Sequence, residues 1–222
     1  MQLTHFWDKM AYLIYLMIGN IPKAICCKPS CHAQMLIGYI PVTKLMGIDN
    51  QAAHCRALNN LFHICMHCVL GPINYHGKTG VPMMSGNGVW RQCHPVFANF
   101  IGDYPEQVLV TCTYSGQCPK CQVPTDWLGE HETFPSCEQA TVIDVYHLAD
   151  GNICTFHHVC CKAGLKPIFH PFWERLPLAD IFLSITPDIL HQLLQGMVKH
   201  VVQWLIRVFG PGKIDALHWM NS

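Results

Sequence analysis

From Ile189 to Phe209 apolar residues recur at helical spacing, and this stretch constrains the fold more than any other. Ile189, Leu190, Leu193, Leu194, Met197, Val198, Val201, Val202, Leu205, Ile206 and Phe209 fall three or four apart, the signature of one long amphipathic helix. A stripe this wide predicts a core-facing helix. Thr186 suits the N-cap and Pro187 the first helical position, where a missing N–H costs nothing. Gly210-Pro211 reads as the stop. Asp188 lies in the first turn, where the helix dipole favours negative charge. His191 follows three residues later on the same face. The pair reads either as a helix-start acid with a partnered histidine or as part of a site; a D-x-x-H spacing alone fits both.

Upstream, Ala11–Gly19 reads as a buried strand rich in Tyr, Leu and Ile, and Gln34–Ile40 as a second, ended by Pro41. Asn50–Val69 predicts a helix burying Ala53, Ala57, Leu58, Leu61, Phe62, Cys65 and Val69, with Gly71-Pro72 as its stop. Lys78–Gly88 is a glycine-rich connection. Pro95–Ile101 reads as another buried strand, reaching Asp103, and Val108–Thr113 as extended chain. Gly116–Cys137 is a loop, Glu138–His157 carries no clear pattern, His158–Ala163 fits a short helix, and Gly164–Pro177 is irregular. Strands preceding helices give an α/β or α+β class. On its own, Asp103 before Tyr104-Pro105 is a strand-end or turn acid.

A chain of 222 residues fits one domain with room for a core. No segment reaches the roughly 18 uninterrupted apolar residues of a membrane span, and the N-terminus lacks a signal-peptide pattern. The chain carries 14 cysteines, but disulfide scaffolds are small and secreted. A reduced, intracellular protein follows, nuclear or cytoplasmic. Formal net charge is zero, with ten Lys, four Arg and 15 His, although proteins that grip DNA phosphates carry an excess of Lys and Arg.

Cys118-Pro119-Lys120-Cys121 has half the spacing of a zinc site. Cys112 is the preferred third ligand by proximity, with Cys137, His131, Cys160 and Cys161 as further candidates. His191 would join if the last helix packs against this loop. The other reading is a reduced pair on a surface turn.

The run Lys166-Pro167-Ile168-Phe169-His170-Pro171-Phe172-Trp173-Glu174-Arg175-Leu176-Pro177, followed by Asp180-Ile181-Phe182, resembles the Plavaka family of fungal cut-and-paste DNA transposases, related to the CACTA group. Further matches keep the family's order: Tyr15-Leu16, Ile18 to Lys23, Leu36 to Tyr39, Cys93-His94-Pro95, Gly102 to Gln107, and Cys118 to Cys121. The resemblance implies a partial RNase H-like α/β core, an incomplete mixed sheet with flanking helices, carrying a Cys-containing loop and the long C-terminal amphipathic helix. Residues 1–222 then form one incomplete catalytic domain: 1–110 strand-rich, 111–163 a Cys/His-containing insertion, and 164–222 helical. Such enzymes gather carboxylates around two Mg²⁺ ions, hard cations that favour oxygen, and act on DNA. Asp103 maps onto the second acid, with Asn87 a neutral rival. The first acid is expected upstream of Met1, in the strand preceding Gln2-Leu3-Thr4, and the last beyond Ser222, leaving an inactive remnant with weak or no DNA binding. The alternative is a zinc-stabilised module binding nucleic acid or protein.

The resemblance also accounts for the charge. The family has arginine where this chain has Cys26, Cys27, Cys31, His32, His54, Cys55, Gln92, His218 and Trp219. Each is one C-to-T or G-to-A transition from a CGN codon. Met17 stands for threonine and Asn87 for aspartate; Met1 itself fits a threonine codon turned into a start. This pattern predicts a transposon copy decayed by deamination at methylated CpG. Cys26, Cys27, Cys31 and His32 then replace arginines and form no ligand set.

Overall fold

The computed structural model describes residues 10–148, 152–186 and 188–210. Met1, Gln2-Leu3-Thr4, Pro187, Pro211, His218 and Trp219, which carried expectations above, lie outside them. The class is mixed α/β. Among the described residues the strands form three separate two-stranded pairs rather than the single incomplete mixed sheet expected. β1 (Met10–Met17) runs antiparallel to β2 (Gln34–Val42), with a register shift between Ile14 and Tyr15. Between them lies a single helical turn, α1 (Lys23–Cys26). β3 (Val81–Met84) and β4 (Trp90–Cys93) form a second antiparallel hairpin, and β5 (Phe100–Ile101) pairs in parallel with β6 (Ile185–Thr186).

The long helix α2 (Gln51–Thr79) starts where Asn50 caps it, its side chain accepting from the Ala53 N–H at 2.9 Å. It does not stop at Gly71-Pro72 but continues through Pro72 to Thr79. Proline costs an interior helix about 3 kcal/mol; here Leu70 and Gly77 are buried on either side and hold the helix in place. A Cβ on Gly77 would lie 2.9 Å from the Pro95 carbonyl oxygen and closer still to Pro177, so the helix end meets that loop backbone directly. Two other corrections are local. Pro41 does not end β2, because at the ribbon's edge it pairs opposite Ala11. The connection after α2 contains β3 and the turn into β4.

Only Phe100 and Ile101 of the expected Pro95–Ile101 strand are extended. Asp103 then caps α3 (Tyr104–Val110), so Val108–Thr113 is helix and helix exit, not extended chain. Helix α4 (Gln139–His147) precedes α5 (Ile153–Lys162), which begins five residues before the helix expected at His158, where the Asn152 side chain accepts from the Cys154 and Thr155 N–H groups.

The core is built under the irregular segment 164–177. Ile168, Phe172, Trp173 and Leu176 are buried there with Val110, Val142, Tyr146, Phe156, Ile181, Phe182 and Ile185. Helix α3 ends inside this core, and its last carbonyls need partners. The Lys166 ammonium donates to Val108 O at 3.1 Å, the Trp173 indole to Val110 O at 2.7 Å, and the Lys166 N–H to Cys112 O at 2.6 Å. His63 Nε2 reaches Leu109 O at 3.1 Å. Burial lowers the His63 pKa to about 4, so its ring is neutral and donates through Nε2.

The last helix departs most from expectation. Asp188, not Thr186, is the N-cap; Thr186 belongs to β6. Ile189–Val198 is π-helical, with the Lys199 N–H bonded to Leu194 O, and α6 (Lys199–Phe209) continues it. Gly210 ends α6 at φ 79°. The apolar stripe does not face the core: Leu190, Leu194, Val201, Leu205 and Phe209 are 43–53% exposed. Nor is β1 a buried strand, since Met10, Tyr12, Tyr15 and Met17 are exposed and only Ala11 is buried.

A candidate acidic site at the end of a parallel strand pair

In the β5–β6 pair Phe100 lies opposite Ile185 and Ile101 opposite Thr186. Each strand reaches an aspartate two residues later, Asp103 and Asp188, and each aspartate caps the helix that follows. Asp103 accepts from the Glu106 N–H at 3.0 Å, while Glu106 Oε2 accepts from the Asp103 N–H at 3.3 Å, a complete capping box. Asp188 accepts from the N–H groups of Leu190 and His191, both at 3.0 Å, and from His191 Nδ1. The parallel pair thus directs to one end two acids that sequence reasoning treated separately, and both charges act on Glu106.

Two glutamines lace the pair. Buried Gln107 donates from Nε2 to Gly102 O at 2.9 Å and Thr186 O at 3.1 Å. Gln192 donates to Gln107 Oε1 at 3.3 Å and accepts from the Asp188 N–H at 2.9 Å. Gly102 has a steric reason: a Cβ there would lie 2.6 Å from Glu106 Oε2 and 2.7 Å from the Phe100 ring.

Electrostatics follow from the crowding. Burial pushes the Glu106 carboxyl above its ordinary range, and the Asp103 charge adds to this; the Asp103 N–H and His191 oppose it, and Asp188 adds a further upward push. For Asp188 burial alone would raise the carboxyl, but the His191 side chain and the His191 and Leu190 N–H groups outweigh it and hold it below the usual value.

The cysteine loop docks beside this site. Lys120 Nζ donates to Ile185 O at 2.8 Å. Together with Tyr104, Gln107, Gly116, Gln117, Leu128, Ile185 and Gln192, residues Cys118, Pro119 and Lys120 line a cleft of about 320 Å³. The Lys120 N–H points at Cys118 Sγ, 3.4 Å away. Cys137 joins Cys118 and Cys121: its N–H bonds Lys120 O at 3.0 Å, and burial plus the neighbouring thiols raise its pKa to about 11. Cys112 lies elsewhere. It is the left-handed exit residue of α3 (φ 60°), fully buried beside His63, with its thiol pushed up to about 12 by burial. Asn87 serves the β3–β4 turn, accepting from Ser85 Oγ at 2.5 Å.

The Plavaka transposase family model matches residues 1–205. This chain belongs to the Plavaka transposase family. No curated protein and no solved structure matches it. The run that carries the Plavaka resemblance, Lys166–Pro177, is structural: its Phe172 and Trp173 fill the core and close α3. Among the described residues no group of three or more His, Cys, Asp or Glu side chains is arranged to hold a metal ion. Asp103 and Asp188 are oxygen donors of the type that hard cations favour, and each caps a helix. Beside the Cys118–Cys121 pair the described residues add Cys137, and a structural zinc shell takes four ligands.

Sequence reasoning missed Glu106, Gln107 and Gln192. Glu106 had a signal, the D-x-x-E spacing of a capping box. The glutamines had none, because they matter only through a contact across 85 residues.

Proposed function

We propose that this chain is a transposase-derived, RNase H-like unit that retains the acidic end of a catalytic site but does not cleave or join DNA by itself. Asp103 and Asp188, each two residues past one strand of the parallel β5–β6 pair and both acting on the Glu106 carboxyl, carry this reading. Two-metal phosphodiester chemistry uses carboxylates gathered at one place to hold both ions. Support for inactivity comes from the donor set among the described residues: two capping aspartates and a glutamate tied into a capping box, with no group of three arranged to hold a metal ion. Formal neutrality leaves few phosphate contacts, so duplex DNA binding is weak with a shallow salt dependence. Cys, His, Gln and Trp standing where the family resemblance implies arginine support a copy decayed at CpG sites. Intact copies lacking an excess of C-to-T and G-to-A differences would remove that support.

The direct test is nicking of supercoiled plasmid with Mg²⁺ or Mn²⁺. No nicking is expected. Metal-dependent nicking lost in Asp103→Ala would overturn the proposal. The zinc-stabilised alternative requires Cys118 and Cys121 to recruit further donors; about one zinc per chain, released by Cys121→Ser, would favour it.

A further inference from the structure

The cleft beside the acidic site has walls and a rim of different chemistry. Tyr104, Pro119, Leu128 and Ile185 supply flat or apolar surface, while Gln117, Gln192 and Lys120 supply polar groups. Its walls are fixed before any ligand arrives. The Tyr104 hydroxyl donates to Gln117 O at 2.9 Å and accepts from the Gly116 N–H at 2.8 Å, which pins the ring. Lys120 is tied to Ile185 O and keeps two further N–H donors. A volume of about 320 Å³ lies at the small end of ligand sites and suits one ring system. Tyr104 directly follows Asp103, and Gln192 belongs to the turn begun by Asp188, so the cleft opens where a strand approaching the two acids would pass.

We propose that this cleft seats one unpaired nucleobase of a DNA strand lying along the Asp103–Asp188 end. This rests on the transposase reading and adds a subsite to it. A base offers two apolar faces and a polar edge, matching apolar walls with an amide rim. In a formally neutral chain, phosphates contribute little, so affinity for a single strand comes mainly from base stacking, which tolerates salt.

The test compares a short single-stranded oligonucleotide carrying 2-aminopurine with an abasic strand of equal length, both titrated onto the full chain. Wild-type protein is expected to bind the base-containing strand about tenfold more tightly and to change the 2-aminopurine emission. Leu128→Trp should fill the cleft and abolish the difference. Leu128 is 49% exposed, so the larger ring is tolerated, and circular dichroism checks the fold. Should that variant misfold, the wild-type emission change still decides. Equal affinities in wild type with unchanged emission overturn the base seat and leave the transposase reading intact. A difference that survives in folded Leu128→Trp overturns the seat as well, as does failure to bind either strand. Metal-dependent nicking overturns the inactivity and leaves the seat standing.

Discussion

His63 shows how one side chain links packing to pH. It is fully buried, satisfies Leu109 O and stacks on Phe172 with ring centroids 5.6 Å apart. Its folded pKa of about 4 lies below the ordinary 6.5, so between these values the unfolded chain binds a proton that the folded chain refuses. The His63 contribution is therefore complete above pH 6.5 and is lost as pH falls through 4, up to about 3 kcal/mol. Urea unfolding at pH 7 and pH 5 should show this acid loss in wild type and a flatter dependence in His63→Gln. Glu106 acts oppositely: its raised carboxyl stabilises at low pH, and that contribution fades as pH rises through its folded value. Gly102 is the site's steric residue. Gly102→Ala forces a Cβ onto Glu106 and Phe100 and should cost about 1–3 kcal/mol in thermal unfolding.

At the scale of elements, sequence pattern and tertiary context part company in identifiable places. The start of α2 was legible because Asn50 is a good cap; its passage through Pro72 was not, because the helix beyond it is held by tertiary contacts, Ile73 packed on the core and Gly77 buried, that local pattern does not show. The two-residue strands β5 and β6 are too short for any periodicity. Their pairing, and with it the site, was legible only as two isolated motifs. The last helix was legible as a helix, but periodicity cannot say what covers a stripe, and the fold leaves it exposed. Leu205→Asp tests this. With Leu205 43% exposed, the substitution should change unfolding stability by no more than about 0.5 kcal/mol, against about 2–5 kcal/mol for truncating a buried leucine. The cysteine loop shows the same limit: proximity in sequence favoured Cys112 beside Cys118 and Cys121, but the end of α3 sends Cys112 into the core and leaves Cys137 by the pair.

For the whole molecule, segment 164–177 is the keystone of the fold. It closes α3 through Lys166 and Trp173, and Trp173 is fully buried with its indole bonded to Val110 O. Trp173→Ala should cost about 3–5 kcal/mol, a large share of a stability of order 5–15 kcal/mol, and should appear as a lowered denaturation midpoint. With α3 fixed, Asp103 sits at its start, and the β5–β6 pair carries Asp188 to the same place. That meeting of distant acids defines the site, and Glu106 reports on it because both charges act on its carboxyl. An NMR titration of the Glu106 side-chain carbon measures it most directly. The carboxyl should titrate above the ordinary range in wild type, move down in Asp103→Asn and, by less, in Asp188→Asn; a Glu106 titration that both substitutions leave unchanged would contradict the account.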